Sequence, residues 1–425
     1  MRVVLFAHGT RGDVGPLVAL GWTLAREGHE ITVAVPEEFR GLATAAGLRT
    51  APLPLNMMAW LSTSEGQKLL HTGGYTFLRR WAHEYARHAD ALDEAQLAAA
   101  QGADALISNH VTADRSLALS DALGIPVAFF IPFPLAPSRE YSPLTTTSGG
   151  MRSPWLRLAT HKLDSWIWWR QVSGPANEFR AKLGLPPSRK PTVRRLMEDP
   201  SYLAVYALSP SLFPRPTDWP DHIKVTAGWK LPSALRQNLD EELPADLVDW
   251  LDAGDPPVFL GFGSMPVLEP QRLLGDIVSV TGELGVRAIV SENCVAAEAA
   301  ESLPANLRVV GTVDHDDLFP RCAAAVHHGG IGSLSTSLGA DLPTMVCSVL
   351  GDQPWWGEHM NRLGTGSHIP FRKLTRTRLH AGLRGLQDPS VKARAADIGS
   401  AIRAEGDGLP VAGRLFSAWL DGERG

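Results

Sequence analysis

The sequence predicts an α/β protein built from two doubly wound, parallel-sheet domains. Three observations lead there. The chain has 425 residues, and at about 150 residues per domain that suits two or three cores rather than one. Short apolar runs alternate with helical patterns along its length, as strands joined by helical crossovers do. Each half also carries a glycine-rich turn from strand to helix: His8-Gly9-Thr10-Arg11-Gly12-Asp13-Val14-Gly15-Pro16 in the first, and His327-His328-Gly329-Gly330-Ile331-Gly332-Ser333 in the second.

Taken in order, Val3 to Ala7 is an unbroken apolar run and reads as a buried parallel strand. The glycine turn follows, then a helix with Leu17, Leu20 and Leu24 on one face, a stop near Gly28, and a strand from Ile31 to Val35. The turn is not GxGxxG and no acid stands where a dinucleotide ribose would need one, which argues against a nicotinamide site. A helix around Thr76 to Ala100, a strand at Ala105 to Ser108, a helix around Ser116 to Leu123 and a strand at Pro126 to Phe130 continue the alternation. Beyond Ile131, Phe133, Tyr141, Trp155, Trp166, Trp168 and Trp169 among prolines and arginines predict an irregular aromatic insertion. The cations Arg180, Lys182, Arg189, Lys190, Arg194 and Arg195 read as a solvated basic face; the alternative is a patch for an anionic donor or a membrane surface. Pro210, Pro214, Pro216 and Pro220 mark an interdomain linker.

The second half repeats the pattern. Val258 to Phe262 runs into Gly263-Ser264, Ala288 to Val290 and Val309-Val310 are short strands, and Ala323 to Val326 leads into the second glycine turn. There the glycines allow backbone N–H groups close to a ligand, Ser333 is placed to cap the next helix, and the helix N-terminus favours negative charge. A phosphate is the natural ligand. The strand Pro343 to Leu350 then delivers Gly351-Asp352-Gln353-Pro354 to the same sheet edge. Asp352 and Gln353 can accept from and donate to sugar hydroxyls; the plain alternative is a tight turn with an Asp-Gln cap. Val411, Leu415 and Trp419 form one stripe of a terminal helix. The expected division is residues 1–208 as a first domain, 209–230 as linker, 231–400 as a second domain, and 401–425 as a helix returning toward the first.

Hydrophobic content of 44% with 20% charged residues describes a soluble globular chain. A net charge of −5 argues against general nucleic-acid affinity. Cys294, Cys322 and Cys347 read as buried small hydrophobes. The N-terminal apolar run is too short for a signal peptide, and no stretch approaches the roughly 20 apolar residues of a membrane span. The expectation is a cytoplasmic protein without integral membrane association.

HHGGIGS followed by GDQPWWG resembles the donor-site signature of the UDP-glycosyltransferase-like family, in the branch of sterol glucosyltransferases and glycopeptide and other natural-product antibiotic glycosyltransferases. GTRGDVGPLVALGWTLAREGHEITVAVP, DWPDHIKVTAGW, LGFGSMP and VDHDDLFPRCAAAVHHGGIGS are similar to further family segments in the same order. The resemblance implies two Rossmann-like domains facing across a cleft, the GT-B type, with acceptor held mainly by the first and nucleotide sugar by the second. By matching position, His328, Gly330, Gly332, Ser333 and Ser264 would contact the donor diphosphate, Val313 the base, Asp352 and Gln353 the sugar, and Arg11 would complete the anion site. Asp13 stands where this branch places its general base. Other branches use a histidine in the first loop with an aspartate at the position of His110, so His110 is a partner for Asp13 or an acceptor contact, and His8 is a further candidate. Thr312 and Thr336 replace a base-stacking tryptophan and a ribose-binding glutamate, which leaves UDP and dTDP both open.

The implied activity is inverting transfer of a hexose or deoxyhexose from a UDP- or dTDP-linked donor to a hydroxyl of a hydrophobic acceptor. A natural-product aglycone, macrolide, polyketide or sterol-like alcohol is expected, held by Phe133, Trp166 and Trp169. No metal and no cofactor beyond the nucleotide sugar are expected, and a homodimer is left open. The alternatives are a sugar-nucleotide epimerase of the same architecture and an inactive glycosyltransferase-like partner protein.

Overall fold

The computed structural model describes residues 1–70, 74–146, 153–239, 241–263, 265, 267, 269–295 and 303–422. Apolar runs form strands covered on both faces, as in Val3 to Phe6, none more than 5% exposed. In chain order the strands are β1 (Arg2–Phe6), β2 (Glu30–Pro36), β3 (Arg49–Leu53), β4 (Ala105–Asn109), β5 (Val127–Ile131), β6 (Leu203–Ala207), β7 (Ile223–Thr226), β8 (Val258–Gly261), β9 (Ala288–Ser291), β10 (Leu307–Val310), β11 (Ala324–His327), β12 (Thr344–Val346) and β13 (Gly366–His368). They make two sheets, ordered β3-β2-β1-β4-β5-β6-β7 and β10-β9-β8-β11-β12-β13. Pairing is parallel throughout, with Leu5 opposite Ile107 and Val326 opposite Leu260, for example.

Both orders are wound outward from an inner pair, β1/β4 in the first sheet and β8/β11 in the second. Chains leaving such a pair depart in opposite directions, so a crevice opens at the carboxyl ends of those strands. The chain divides into two compact units: Met1–Trp60, Gly74–Leu239 and Gly406–Gly425 form the first, and Leu61–Gly73 with Asp240–Glu405 the second.

Three expectations are corrected. Residues 209–230 are no linker, because they contain β7, which pairs with β6 inside the first unit. Their prolines do prevent a regular element at first, but Arg215 satisfies the freed carbonyls, donating to Trp219 and Pro220 oxygens at 2.8 Å and to Ile223 at 3.0 Å. The aromatic insertion is a regular helix from residue 154 onward, Pro154–Lys182, with Pro154 in its first turn and the Ser153 hydroxyl accepting the Leu156 N–H. In the terminal helix Leu409–Leu420, the side chains buried in the first-unit core are Leu409, Ala412, Phe416 and Leu420, whereas Val411 is exposed and Leu415 and Trp419 only flank that core.

Five of the six cations in the basic run are paired with acids. Arg180 and Arg195 both reach Asp121, Lys182 bridges Asp90 and Asp93, and Lys190 and Arg194 share Glu198. All three cysteines are free and buried. Among the described residues, no helix is long and apolar enough to cross a membrane.

Candidate active site

At the inner pair of the second sheet, β8 ends before Gly263 (φ +59°) and β11 before His328. A Cβ on Gly263 would lie 2.8 Å from His328 Cε1, and one on Gly330 2.6 Å from its Nε2, so the imidazole is clasped between two glycines. Gly329 turns through φ +88°, where a Cβ would meet Val346 Cγ1 at 2.4 Å. Only glycine fits that turn.

The helix Ile331–Gly339 starts from Gly330 in extended conformation, and no side chain caps it. Ser333 is therefore in the first turn rather than at the cap, because the left-handed Gly329 starts the helix earlier than the serine. The uncapped N–H groups of that turn and the helix dipole put hydrogen-bond donors and partial positive charge there, which favour an anion.

His327, on which the sequence placed no role, locks this turn. Its Nδ1 accepts the Gly329 N–H at 3.0 Å, so Nε2 carries the proton and donates to Ser337 Oγ at 3.3 Å. His328 is different: its Nδ1 is buried without a partner. Burial lowers its pKa to about 4, so the ring is neutral at pH 7, with one nitrogen able to donate to an anion.

Along the same edge, β12 leads to Asp352 and Gln353, which open the helix Gln353–Leu363. Gln353 Oε1 accepts the Val349 N–H at 2.8 Å and the Leu350 N–H at 3.1 Å. That fixes the amide orientation and leaves its NH2 as the donor. Asp352 Oδ2 accepts the Trp356 indole N–H at 2.8 Å. Behind the loop, Ser348 Oγ lies 2.8 Å from His368 Nε2, whose ring faces Glu358. Val313 follows β10 and packs beside the second-unit core. Ser264 lies outside the described residues. Among those described, no group of three or more His, Cys, Asp or Glu is arranged to hold a metal ion.

The first sheet repeats the plan at β1/β4. His8, after β1, is fully buried, and its Nε2 donates to the Leu55 carbonyl at 2.8 Å while Nδ1 has no partner. Burial lowers its pKa, against the opposing pull of the Pro54 and Leu55 carbonyls and of Asp13. Asp13 Oδ2 accepts both the N–H (2.8 Å) and hydroxyl (2.9 Å) of Thr10, an N-terminal capping box. Its other oxygen takes no hydrogen bond among the described residues. After β4, Asn109 Nδ2 donates to the His8 carbonyl at 2.6 Å, tying the two loops together. His110 comes next, edge-on to Phe133 at 4.5 Å, with Nδ1 buried and unpartnered. Burial lowers its pKa and the Asp13 charge raises it. Asp13, His8 and His110 are thus one electrostatic group.

Arg11 is exposed in the first turn of the helix Arg11–Arg26. Trp166 and Trp169 lie on the helix Pro154–Lys182, Trp166 half exposed with the Arg170 guanidinium 4.9 Å from its ring. Of the three expected acceptor aromatics Phe133 meets the group through His110, and others meet it at His8. Tyr85 and Trp81 lie 5.8 and 6.5 Å from His8, and Trp60 contacts Trp81 and Phe77 at 5.3 and 6.2 Å. Phe77, Trp81 and Tyr85 recur at i, i+4, i+8, a helical stripe visible in the sequence that was not singled out.

Residues 3–95 match the model of the glycosyltransferase family 28 N-terminal domain, and residues 271–417 that of the erythromycin biosynthesis protein CIII-like C-terminal domain. O-mycaminosyltylonolide 6-deoxyallosyltransferase of Streptomyces fradiae is 30% identical over 438 residues, covering 99% of this chain and 98% of its own. The chain belongs to this glycosyltransferase family. A sterol 3-beta-glucosyltransferase of Arabidopsis thaliana is 28% identical across 100% of this chain, which spans 69% of that longer protein. The crystal structure of glycosyltransferase VinC in complex with dTDP superposes with a TM-score of 0.67 at 22% identity, covering all of both chains, so the fold is of the GT-B type. These relatives are transferases, and an epimerase is not favoured.

Buried histidines give this glycosyltransferase an acid sensitivity. His8, His110, His161, His327 and His328 all have pKa values lowered first by burial, His161 and His328 to about 4. The unfolded chain therefore binds protons below about pH 6.5 that the folded chain refuses, and stability falls with pH. Each such group contributes up to about 1.4 kcal/mol per pH unit within its window. The melting temperature is expected to drop from pH 7 to pH 5 even though Glu38 and Asp114, raised by burial to about 7 and about 6, oppose the trend; a rise would show that those carboxyls outweigh the rings.

Proposed function

We propose that this glycosyltransferase moves a hexose or deoxyhexose, with inversion, from a UDP- or dTDP-linked donor to a hydroxyl of a hydrophobic, ring-containing acceptor. The observation that carries it is the neutral His328, clasped by Gly263 and Gly330 beside an uncapped helix N-terminus at the inner strand pair of the second sheet. A diphosphate suits it: His328 donates one hydrogen bond and the N–H groups of the Gly332-Ser333 turn supply more. Asp352 and the Gln353 NH2 engage sugar hydroxyls, and main-chain groups of Val313 the base.

In the transfer, the acceptor oxygen bonds to the anomeric carbon as the bond from that carbon to the phosphate oxygen breaks. The acceptor proton passes to a base, and the negative charge of the leaving diphosphate is stabilised by preorganised N–H donors. Attack from the face opposite the leaving group turns an α-linked donor into a β-glycoside. Asp13 is assigned the base because one carboxylate oxygen anchors the loop while the other is left to accept; His8, whose Nε2–H is held by the Leu55 carbonyl, keeps Nδ1 as the rival acceptor. His110 is its partner.

Phe133, with the Trp60, Phe77 and Trp81 rings packed behind the His8 loop, is assigned to the acceptor, since aromatic side chains beside the base can bury rings with few directional demands. Relatives named for a tylonolide and for sterols agree with that class. Phe133→Ala should raise the acceptor KM tenfold or more, about 1.5 kcal/mol of lost aromatic burial, with the donor KM unchanged. A panel of hydrophobic phenols and alcohols against small polar sugars tests the class. Preferential transfer to the sugars, or a Phe133→Ala enzyme with parental acceptor KM, would overturn it.

A further inference from the structure

The helix Pro154–Lys182 turns an apolar stripe outward. Trp155, Leu156, Leu163 and Trp166 are 69%, 54%, 54% and 50% exposed. They lie with the exposed Ala159, Lys162 and Arg170 at helical spacing along one face, about 22 Å at 1.5 Å per residue. The inner side is covered through His161, Ala176 and Phe179. Of eight exposed large hydrophobic side chains among the described residues, five sit on this helix. Scattered singly they would need no explanation, but a continuous stripe marks a docking surface.

Its charge selects the occupant. From Pro154 to Arg170 the only acid is Asp164, half-buried and hydrogen-bonded by the Thr145 hydroxyl. The cations border the apolar side chains closely: the Arg139 guanidinium lies 4.2 Å from the Trp155 ring and that of Arg170 4.9 Å from Trp166. A second copy in two-fold contact would bring the same cations into one seam with no acid to pair them. The surface is also a convex helix face rather than a groove. Tryptophan and leucine flanked by lysine and arginine on such a face fit the plane where acyl chains meet anionic headgroups.

We propose that this helix is a peripheral docking surface for anionic lipid bilayers, in which Trp155, Leu156, Leu163 and Trp166 enter the interface and Lys162, Arg139 and Arg170 meet headgroup charge. The inference stands on the helix alone, independently of the proposed reaction.

Flotation of the full chain with vesicles of phosphatidylcholine, and of phosphatidylcholine with phosphatidylglycerol at roughly three to one, tests it. The parent should partition at least about tenfold better onto the anionic vesicles, less so at high salt. Leu156→Glu/Leu163→Glu, at exposed positions, should lose about tenfold or more of that binding, with circular dichroism and melting unchanged. Lys162→Glu/Arg170→Glu should lose the preference for anionic lipid. No vesicle binding by the parent, or parental binding by the leucine double variant, would overturn the proposal. So would a concentration-dependent dimer that the same variant abolishes in the absence of lipid affinity, which would assign the stripe to a second copy.

Discussion

Asp13→Asn is expected to lower turnover by about two orders of magnitude or more while nucleotide affinity stays nearly unchanged. Asparagine keeps a carbonyl oxygen that can accept from the Thr10 N–H and hydroxyl, so the capping box at the start of the helix Arg11–Arg26 survives. What disappears is the proton acceptor. Parental turnover in Asp13→Asn would reduce Asp13 to a capping residue and pass the role to His110 or His8.

The second large effect is on the donor. His328→Ala should weaken UDP or dTDP binding by about ten- to a hundredfold, the equivalent of one strong hydrogen bond to an anion at roughly 1.5–3 kcal/mol. Acceptor binding should be unaffected. His328→Gln, which keeps a donor of similar reach, should recover part of the loss, whereas a merely space-filling ring between Gly263 and Gly330 would gain nothing from the amide. Calorimetric titration of the three proteins decides it; equal affinities would remove His328 from the donor site.

The doubly wound fold was legible because its strands are unbroken apolar runs: Val3 to Ala7, Ala105 to Ser108 and Ala323 to Val326 each fall within a residue or two of an observed strand. The two glycine turns were equally visible, since a left-handed turn pressed as closely on Val346 as that of Gly329 leaves no room for a Cβ. The long helix Pro154–Lys182 was hidden because periodicity arguments assume that an apolar stripe faces a core, and this one faces solvent. The supposed linker was hidden because prolines report a local break, whereas β7 is held by Arg215 and by pairing with β6.

The candidate sites divide in the same way. His328, Asp352 and Gln353 are sequence neighbours of the glycine turns and could be found from them. The partnership of Asp13, His8 and His110 needs β1 and β4 side by side, a juxtaposition across about a hundred residues that no local pattern encodes. The His327 lock likewise depends on Ser337, one helix further on.

We propose that the second sheet's glycine turn holds the nucleoside diphosphate sugar and that Asp13 deprotonates the acceptor hydroxyl. One measurement tests it most directly: nucleoside diphosphate release from UDP- and dTDP-linked sugars, with and without a hydrophobic alcohol, together with the anomeric configuration of the product by NMR. Release that requires the alcohol, a β-glycoside from an α-linked donor, and loss of both in Asp13→Asn are expected. Release at the same rate without acceptor, or an α-glycoside, would contradict it.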